Sequence, residues 1–256
     1  MPDSPRWRRI VACAVLSLVG LGAVAAGCGE SSGRTTLTVL AASSTQEVLR
    51  ELGAAYGHER RHVAVRFEFG GSQEMAERLS EHGPADVLLT ADETTMNRAD
   101  RYLTGRRRVV AHNSMTIAVG PGNPRRVRDL RDLTRQGLRV AVAAAANPAG
   151  TYARQIFAGA GLTVRSSSEE ISVRAVLDRV RTGEADAGLV YITDLRSAGA
   201  AASSVPIPAL ENVTATYAAA VVEDSDDEEV AASFVAWLTS PTARALLTKY
   251  GFVTPS

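Results

Sequence analysis

From Leu37 onward, short apolar runs alternate with stretches in which apolar residues recur every three or four positions, and that alternation predicts strands followed by helices. The run Leu37–Ala41 predicts a first strand. Val48, Leu49, Leu52, Ala55 and Tyr56 then fall on one face of a helix from Ser44 to about Arg60. Val63, Val65, Phe67 and Phe69 alternate with Ala64, Arg66 and Glu68, the pattern of a strand with one face more exposed. A helix opening at Ser72 carries Met75, Ala76 and Leu79 on one side and stops near Gly83-Pro84. Asp86–Thr90 is a third predicted strand and Thr94–Tyr102 a third helix, which completes one half of an open parallel sheet.

Two strand-like stretches follow, Val109–Asn113 and Met115–Val119, and end at the breaker Pro121-Gly122-Asn123-Pro124. A second α/β unit comes next: a short helix near Val127–Leu133, strand Leu138–Ala143, helices Pro148–Ala160 and Ser172–Thr182, and strand Ala187–Tyr191. The strand-like Ala215–Val222 precedes an acidic run, Glu223–Glu229, read as a solvated turn whose charges favour the following helix N-terminus. Helices Val230–Leu238 and Thr242–Lys249 close the chain. Crossings near residues 114 and 214 predict two lobes, residues 36–113 plus 216–256 and residues 114–215, able to hinge over a ligand.

The strand-to-helix turns carry the candidate chemistry. Ser44 with Glu47 three residues on fits a capping box, in which the hydroxyl bonds a free helix N–H and the carboxylate reaches back. Other N–H groups of such a turn aim out of the strand's carboxyl end, where open α/β sheets bind ligands, and the partial positive charge there suits an oxyanion. Similar turns recur at Gly70-Gly71-Ser72, at Asn147-Pro148-Ala149-Gly150 and at Ser172-Val173-Arg174. Singly, each is ordinary helix capping; together they can converge on one ligand.

Composition adds compartment and charge. Arg6, Arg8 and Arg9 precede the apolar run Ile10–Ala26, the pattern of a secretory signal peptide spanning residues 1–27. Ala25-Ala26-Gly27-Cys28 is similar to a bacterial lipobox, with Cys28 as the lipidated first residue and residues 28–36 as a tether. Loss of residues 1–27 removes Cys13, leaving one cysteine and no intramolecular disulfide. It also removes three arginines and Asp3 from totals of 28 basic and 28 acidic residues, leaving 25 and 27. A mildly acidic chain lacks the basic footprint that nucleic acid requires.

Most other titratable residues have plain structural readings. Asp86, Asp92, Asp186 and Asp194 read as caps and turn residues, and Arg174 as a surface or inter-lobe pairing residue. His58, His62, His82 and His112 lack metal-site spacing. A serine hydrolase using Ser44 is the competing enzymatic reading, but Ser44 is not flanked by a G-x-S-x-G elbow and no histidine is placed as its base. Binding of sulfate, phosphate or an organic solute remains open on these features alone.

Six segments narrow the choice: Thr38–Ser44, Phe69–Ser72, Gly83–Val87, Pro148–Ala153, Gly183–Asp194 and Tyr250–Phe252. Through them the chain resembles the molybdate-binding proteins of bacterial ABC transporters, type II periplasmic binding proteins, over essentially everything after residue 27. Two departures are Ser43, where the family usually has alanine, and the two glycines before Ser72. The resemblance implies an α/β fold of two Rossmann-like lobes with mixed sheets, joined by a two-crossover hinge. It implies that molybdate or tungstate is held without cations, by Ser44 and Ser72 from one lobe and by the Ala149 and Val173 backbone N–H groups and the Tyr191 hydroxyl from the other. Molybdenum is then held as its oxyanion with no direct metal coordination, no cofactor and no catalytic residue. The implied protein is an extracytoplasmic, lipid-anchored monomer that serves a membrane permease. Cys28→Ala is expected to release it from membranes in a secreting host, as read by fractionation; continued membrane association of the variant would refute lipid anchoring.

Overall fold

The computed structural model describes residues 34–81 and 84–255. Its framework is a mixed sheet, nine-stranded among the described residues. Strands β1 (Thr35–Ala42), β2 (Val63–Gly70) and β3 (Val87–Thr90) run parallel in the order β2-β1-β3, with Ala42 level with Gly70 and Ala41 level with Leu89. Their helices are α1 (Gln46–Glu59), α2 (Ser72–Ser80) and α3 (Glu93–Arg98). The helical spacing of Val48, Leu49, Leu52 and Tyr56 is what buries α1. Tyr56 stacks edge-on against Phe234 and Trp237 of the penultimate helix α7 (Glu228–Trp237), pinning α7 to α1.

Strand β4 (Leu103–Val119) is the long member, 17 residues without a break. Its first part pairs antiparallel with β9 (Thr214–Val222), which in turn pairs antiparallel with β3. Its last part pairs antiparallel with β7 (Ala187–Tyr191) and with the short β8 (Ser203–Pro206). Beyond β7 lie β5 (Val140–Ala143) and the edge strand β6 (Ser168–Glu170), both parallel to their neighbours. Helices α4 (Pro148–Gly159), α5 (Val173–Arg181) and α6 (Ile192–Ala198) follow β5, β6 and β7. Helix α8 (Pro241–Tyr250) closes the chain.

These pairings set the direction of every carboxyl strand end. Thr90 at the end of β3 is level with Ala218, and Tyr191 at the end of β7 is level with Met115. Between them β4 and β9 pair Ala111 with Tyr217, Asn113 with Ala215 and Ser114 with Thr214. The ends of both parallel sets therefore converge on this short central ladder, where ligands of α/β sheets bind.

The fold departs from the sequence expectations in identifiable places. The two stretches expected on either side of residue 114 are one continuous strand, because β9 and then β7 take over pairing without a gap. The helix expected near Val127–Leu133 is only a 3-10 turn at Arg131–Thr134. There the Asn123 side chain bonds both the N–H and the carbonyl of Val127 and Asp132 accepts the Arg128 N–H, so side chains replace helical bonds. Strands β6 and β8 and helix α6 were not expected; the two strands are short and polar, without alternation. The fold class itself, α/β with a mixed sheet, is as anticipated.

Gly150, in the first turn of α4, makes a sharp stability test. A Cβ there would stand 2.0 Å from the Ala144 carbonyl oxygen and 2.3 Å from that of Ala143, whereas one at Gly159, at the far end of the same helix, meets nothing within 4 Å. Gly150→Ala is expected to lose about 1–3 kcal/mol in urea denaturation. Gly159→Ala should be neutral or gain up to ~1 kcal/mol.

Candidate functional site

The turns singled out above abut one another across the central ladder. Ser44 lies in a 3-10 turn, Ser43–Thr45, between β1 and α1. Ser72 is the first residue of α2, Ala149 the second of α4 and Val173 the first of α5, while Tyr191 ends β7 and caps α6. All five are buried, none more than 5% exposed. A Cβ on Gly71 would stand 2.8 Å from the Asn147 amide nitrogen and 2.9 Å from the Ile171 carbonyl oxygen. The glycine thus lets the turn before Ser72 press against the turns that open α4 and α5. The Tyr191 ring meets Tyr217 edge-on at 5.9 Å, and Tyr217 Oη shares a 2.9 Å hydrogen bond with Ser44 Oγ.

Capping at these turns differs from the expected pattern in two places. The Ser44–Glu47 box does not form: Thr45 is the N-cap of α1 and makes no side-chain cap bond, because the 3-10 turn shifts the helix start past Ser44. Ser44 turns to Tyr217, and Glu47 instead pairs with Arg174 at the start of α5. At the second turn Gly71 is the cap and its N–H donates to the Glu74 carboxylate at 3.2 Å, so the Ser72 hydroxyl is not spent on its own helix. Ser72 Oγ accepts the Ala91 N–H at 3.0 Å instead. Asn147 and Ser172 do cap as expected, accepting the N–H of Ala149 at 3.0 Å and of Ala175 at 3.2 Å.

Arg174, at the start of α5, pairs through Nη2 with Glu47, while its Nη1 is buried with no hydrogen-bond partner among the described residues. The Tyr191 hydroxyl is buried with no hydrogen-bond partner among the described residues. Burial, reinforced by the neighbouring Tyr217 and Tyr152, holds its phenol well above the ordinary tyrosine value, so it stays protonated and able to donate. Tyr152 of α4 reaches back over the ladder and donates to the Ala91 carbonyl at 3.4 Å. Among the described residues no cluster of histidine, cysteine, aspartate or glutamate could hold a metal ion. His82 and Cys28 lie outside the described residues.

The four aspartates are structural. Asp92 caps α3 by accepting the Thr95 N–H, Asp86 accepts the Thr38 N–H and the Ser225 hydroxyl, and Asp186 pairs with Arg139. Asp194 is fully enclosed and accepts the Tyr191 N–H at 3.0 Å, which holds the tyrosine at the mouth of α6. Its position three residues into the helix is a capping signature that the sequence does carry. Tyr217, Asn113, Thr193 and Tyr152 were not anticipated; each reads in sequence as one more residue of an apolar strand or helix.

An α/β body whose buried hydroxyls and helix starts meet over a two-strand crossing is the architecture of a solute-binding protein. The chain belongs to the bacterial extracellular solute-binding protein family, whose model matches residues 37–253. It is 34% identical over 260 residues to the molybdate-binding protein ModA of Mycobacterium tuberculosis (strain ATCC 25618 / H37Rv), covering 98% of this chain and all of that one. The periplasmic molybdate-binding protein of Azotobacter vinelandii superposes with a TM-score of 0.74 at 22% identity, over 86% of this chain and 100% of that one. The sulfate-binding protein SubI of M. tuberculosis H37Rv gives a TM-score of 0.77 at 19% identity, over 85% and 86% of the two chains. These structural matches place the fold among the type II periplasmic binding proteins.

Asp194 gives the site a pH dependence. Burial raises its carboxyl to about 7, against the opposing pull of the Tyr191 N–H and the Arg174 guanidinium. An aspartate held above its unfolded value of ~3.9 contributes stability that is complete below that pH and is lost as pH rises through the folded value. The stability of the wild type relative to Asp194→Asn, which keeps an acceptor for the Tyr191 N–H, should therefore fall between pH 4 and about 7 in denaturant titrations. A constant difference across that window would show that Asp194 is ionised throughout.

Proposed function

We propose that this protein is the extracytoplasmic binding component of an ABC importer, that it takes molybdate or tungstate, and that it delivers the oxyanion to the permease. One observation carries the reading: three buried hydroxyls, of Ser44, Ser72 and Tyr191, lie on converging turns whose one nearby arginine is already paired with Glu47. Such a site offers an anion mainly neutral donors. The Val173 N–H, at the start of α5, adds a donor at the positive end of a helix dipole, whereas the Ala149 N–H, expected as a second, is held by the Asn147 side chain at 3.0 Å and would have to leave it to reach an anion. The likeness to ModA supports the choice of anion.

In this reading residues 36–113 with 216–256 form one lobe and residues 114–215 the other, and the Glu47–Arg174 pair helps to hold them closed over the ligand. Cys28 carries the lipid that keeps the protein at the membrane. The competing reading, a serine hydrolase using Ser44, is not favoured, since the Ser44 hydroxyl is bonded to a tyrosine and not to a histidine.

A hydrogen bond to a charged group contributes roughly 1.5–3 kcal/mol. Ser44→Ala, Ser72→Ala and Tyr191→Phe should each weaken molybdate binding by about 10-fold to 150-fold in isothermal titration, with the fold intact. Arg174→Ala should matter less than any of them. Sulfate has the same charge and shape with shorter bonds, so fixed donors cannot all reach it and it should bind far more weakly. Sulfate binding as tight as molybdate, or an Arg174→Ala loss exceeding all three hydroxyl deletions, would overturn the proposal.

A further inference from the structure

Ser44 has one hydroxyl proton, which it can give either to a bound anion or to Tyr217. The surroundings of Tyr217 decide between the two. Among the described residues the Tyr217 hydroxyl has one hydrogen-bond partner, Ser44 Oγ. Tyr217 is wholly buried, and burial holds its phenol far above the ordinary value, so its proton is retained and needs an acceptor. Ser44 Oγ, 2.9 Å away, is that acceptor.

We infer that Tyr217 is a positioning residue for anion binding: it donates to Ser44 Oγ and so commits the Ser44 proton to the oxyanion in the cleft. Ser72 is arranged in the same sense by a different donor, the Ala91 N–H at 3.0 Å. Each serine thus has an oxygen lone pair engaged by the protein, and its own proton is left for the ligand. Tyr217 lies on β9 level with Ala111 of β4, in the ladder that joins the two parallel sets. That position places the donor direction of Ser44 under the control of the hinge ladder. The inference rests on the reading of Ser44 as a ligand donor.

The test is a double-mutant cycle in molybdate affinity, measured by isothermal titration on the mature chain for wild type, Tyr217→Phe, Ser44→Ala and the double variant, with thermal melts as the control for folding. Phenylalanine keeps the ring that packs on Tyr191 and Phe252. Tyr217→Phe is expected to weaken binding by roughly 2-fold to 13-fold, the worth of one net neutral hydrogen bond, and to have no further effect once Ser44 is alanine. A purely structural role would instead lower affinity by the same factor in both backgrounds, and that result, or an unchanged affinity for Tyr217→Phe, would overturn the inference. An unchanged affinity for Ser44→Ala would overturn the site assignment along with it. Should Tyr217→Phe fail to fold, 3-fluorotyrosine placed at position 217, which keeps the ring and makes the phenol a stronger donor, is expected to change molybdate affinity only while Ser44 is present; a change that persists in the Ser44→Ala background would reject the inference.

Discussion

The antiparallel ladder between β4 and β9 is the constraint on which the rest of the molecule depends. Because β9 runs antiparallel to both β3 and β4, and β7 runs antiparallel to β4, the polarity of each parallel set is dictated from this one ladder. Only with that polarity do the carboxyl ends of β1, β2 and β3 point toward those of β5 and β7. Side chains alternate along a strand, so a one-residue slip would turn Asn113 and Tyr217 to the opposite face and disconnect Ser44 from its partner. The ladder is therefore both the joint of the fold and the floor of the site.

A divalent oxyanion gives up much hydration on entering a buried site, and in the proposed reading directed neutral donors meet most of that cost. Burial keeps Tyr191 and Tyr217 protonated, the start of α5 offers the Val173 N–H, and the Arg174 guanidinium is paired with Glu47. Such donors are short-range and fixed in position, so they discriminate by bond length and the placement of oxygens, where a cation would accept any anion of the same charge. The overall fold does not make that distinction. A sulfate-binding protein superposes on this chain about as well as a molybdate-binding one, so selection between anions does not follow from the fold alone.

What the sequence determined by itself was local. Apolar periodicity located the principal strands and most of the helices. Asn147-Pro148 and Ser172 announced their own caps. These features are set by interactions between residues one to four positions apart, which a linear pattern contains. Tertiary structure decided the fate of each side chain that has two local options. Ser44 and Glu47 have the spacing of a capping box, yet Tyr217, 173 residues away in sequence, takes the hydroxyl and Arg174, 127 residues away, takes the carboxylate. Likewise Asn113 and Tyr217 read as ordinary strand positions until pairing sets them beside Ser44 and Thr193. A buried polar atom must find its partner wherever the fold supplies one, and which partner is near depends on strand order and register, which no short window of sequence contains.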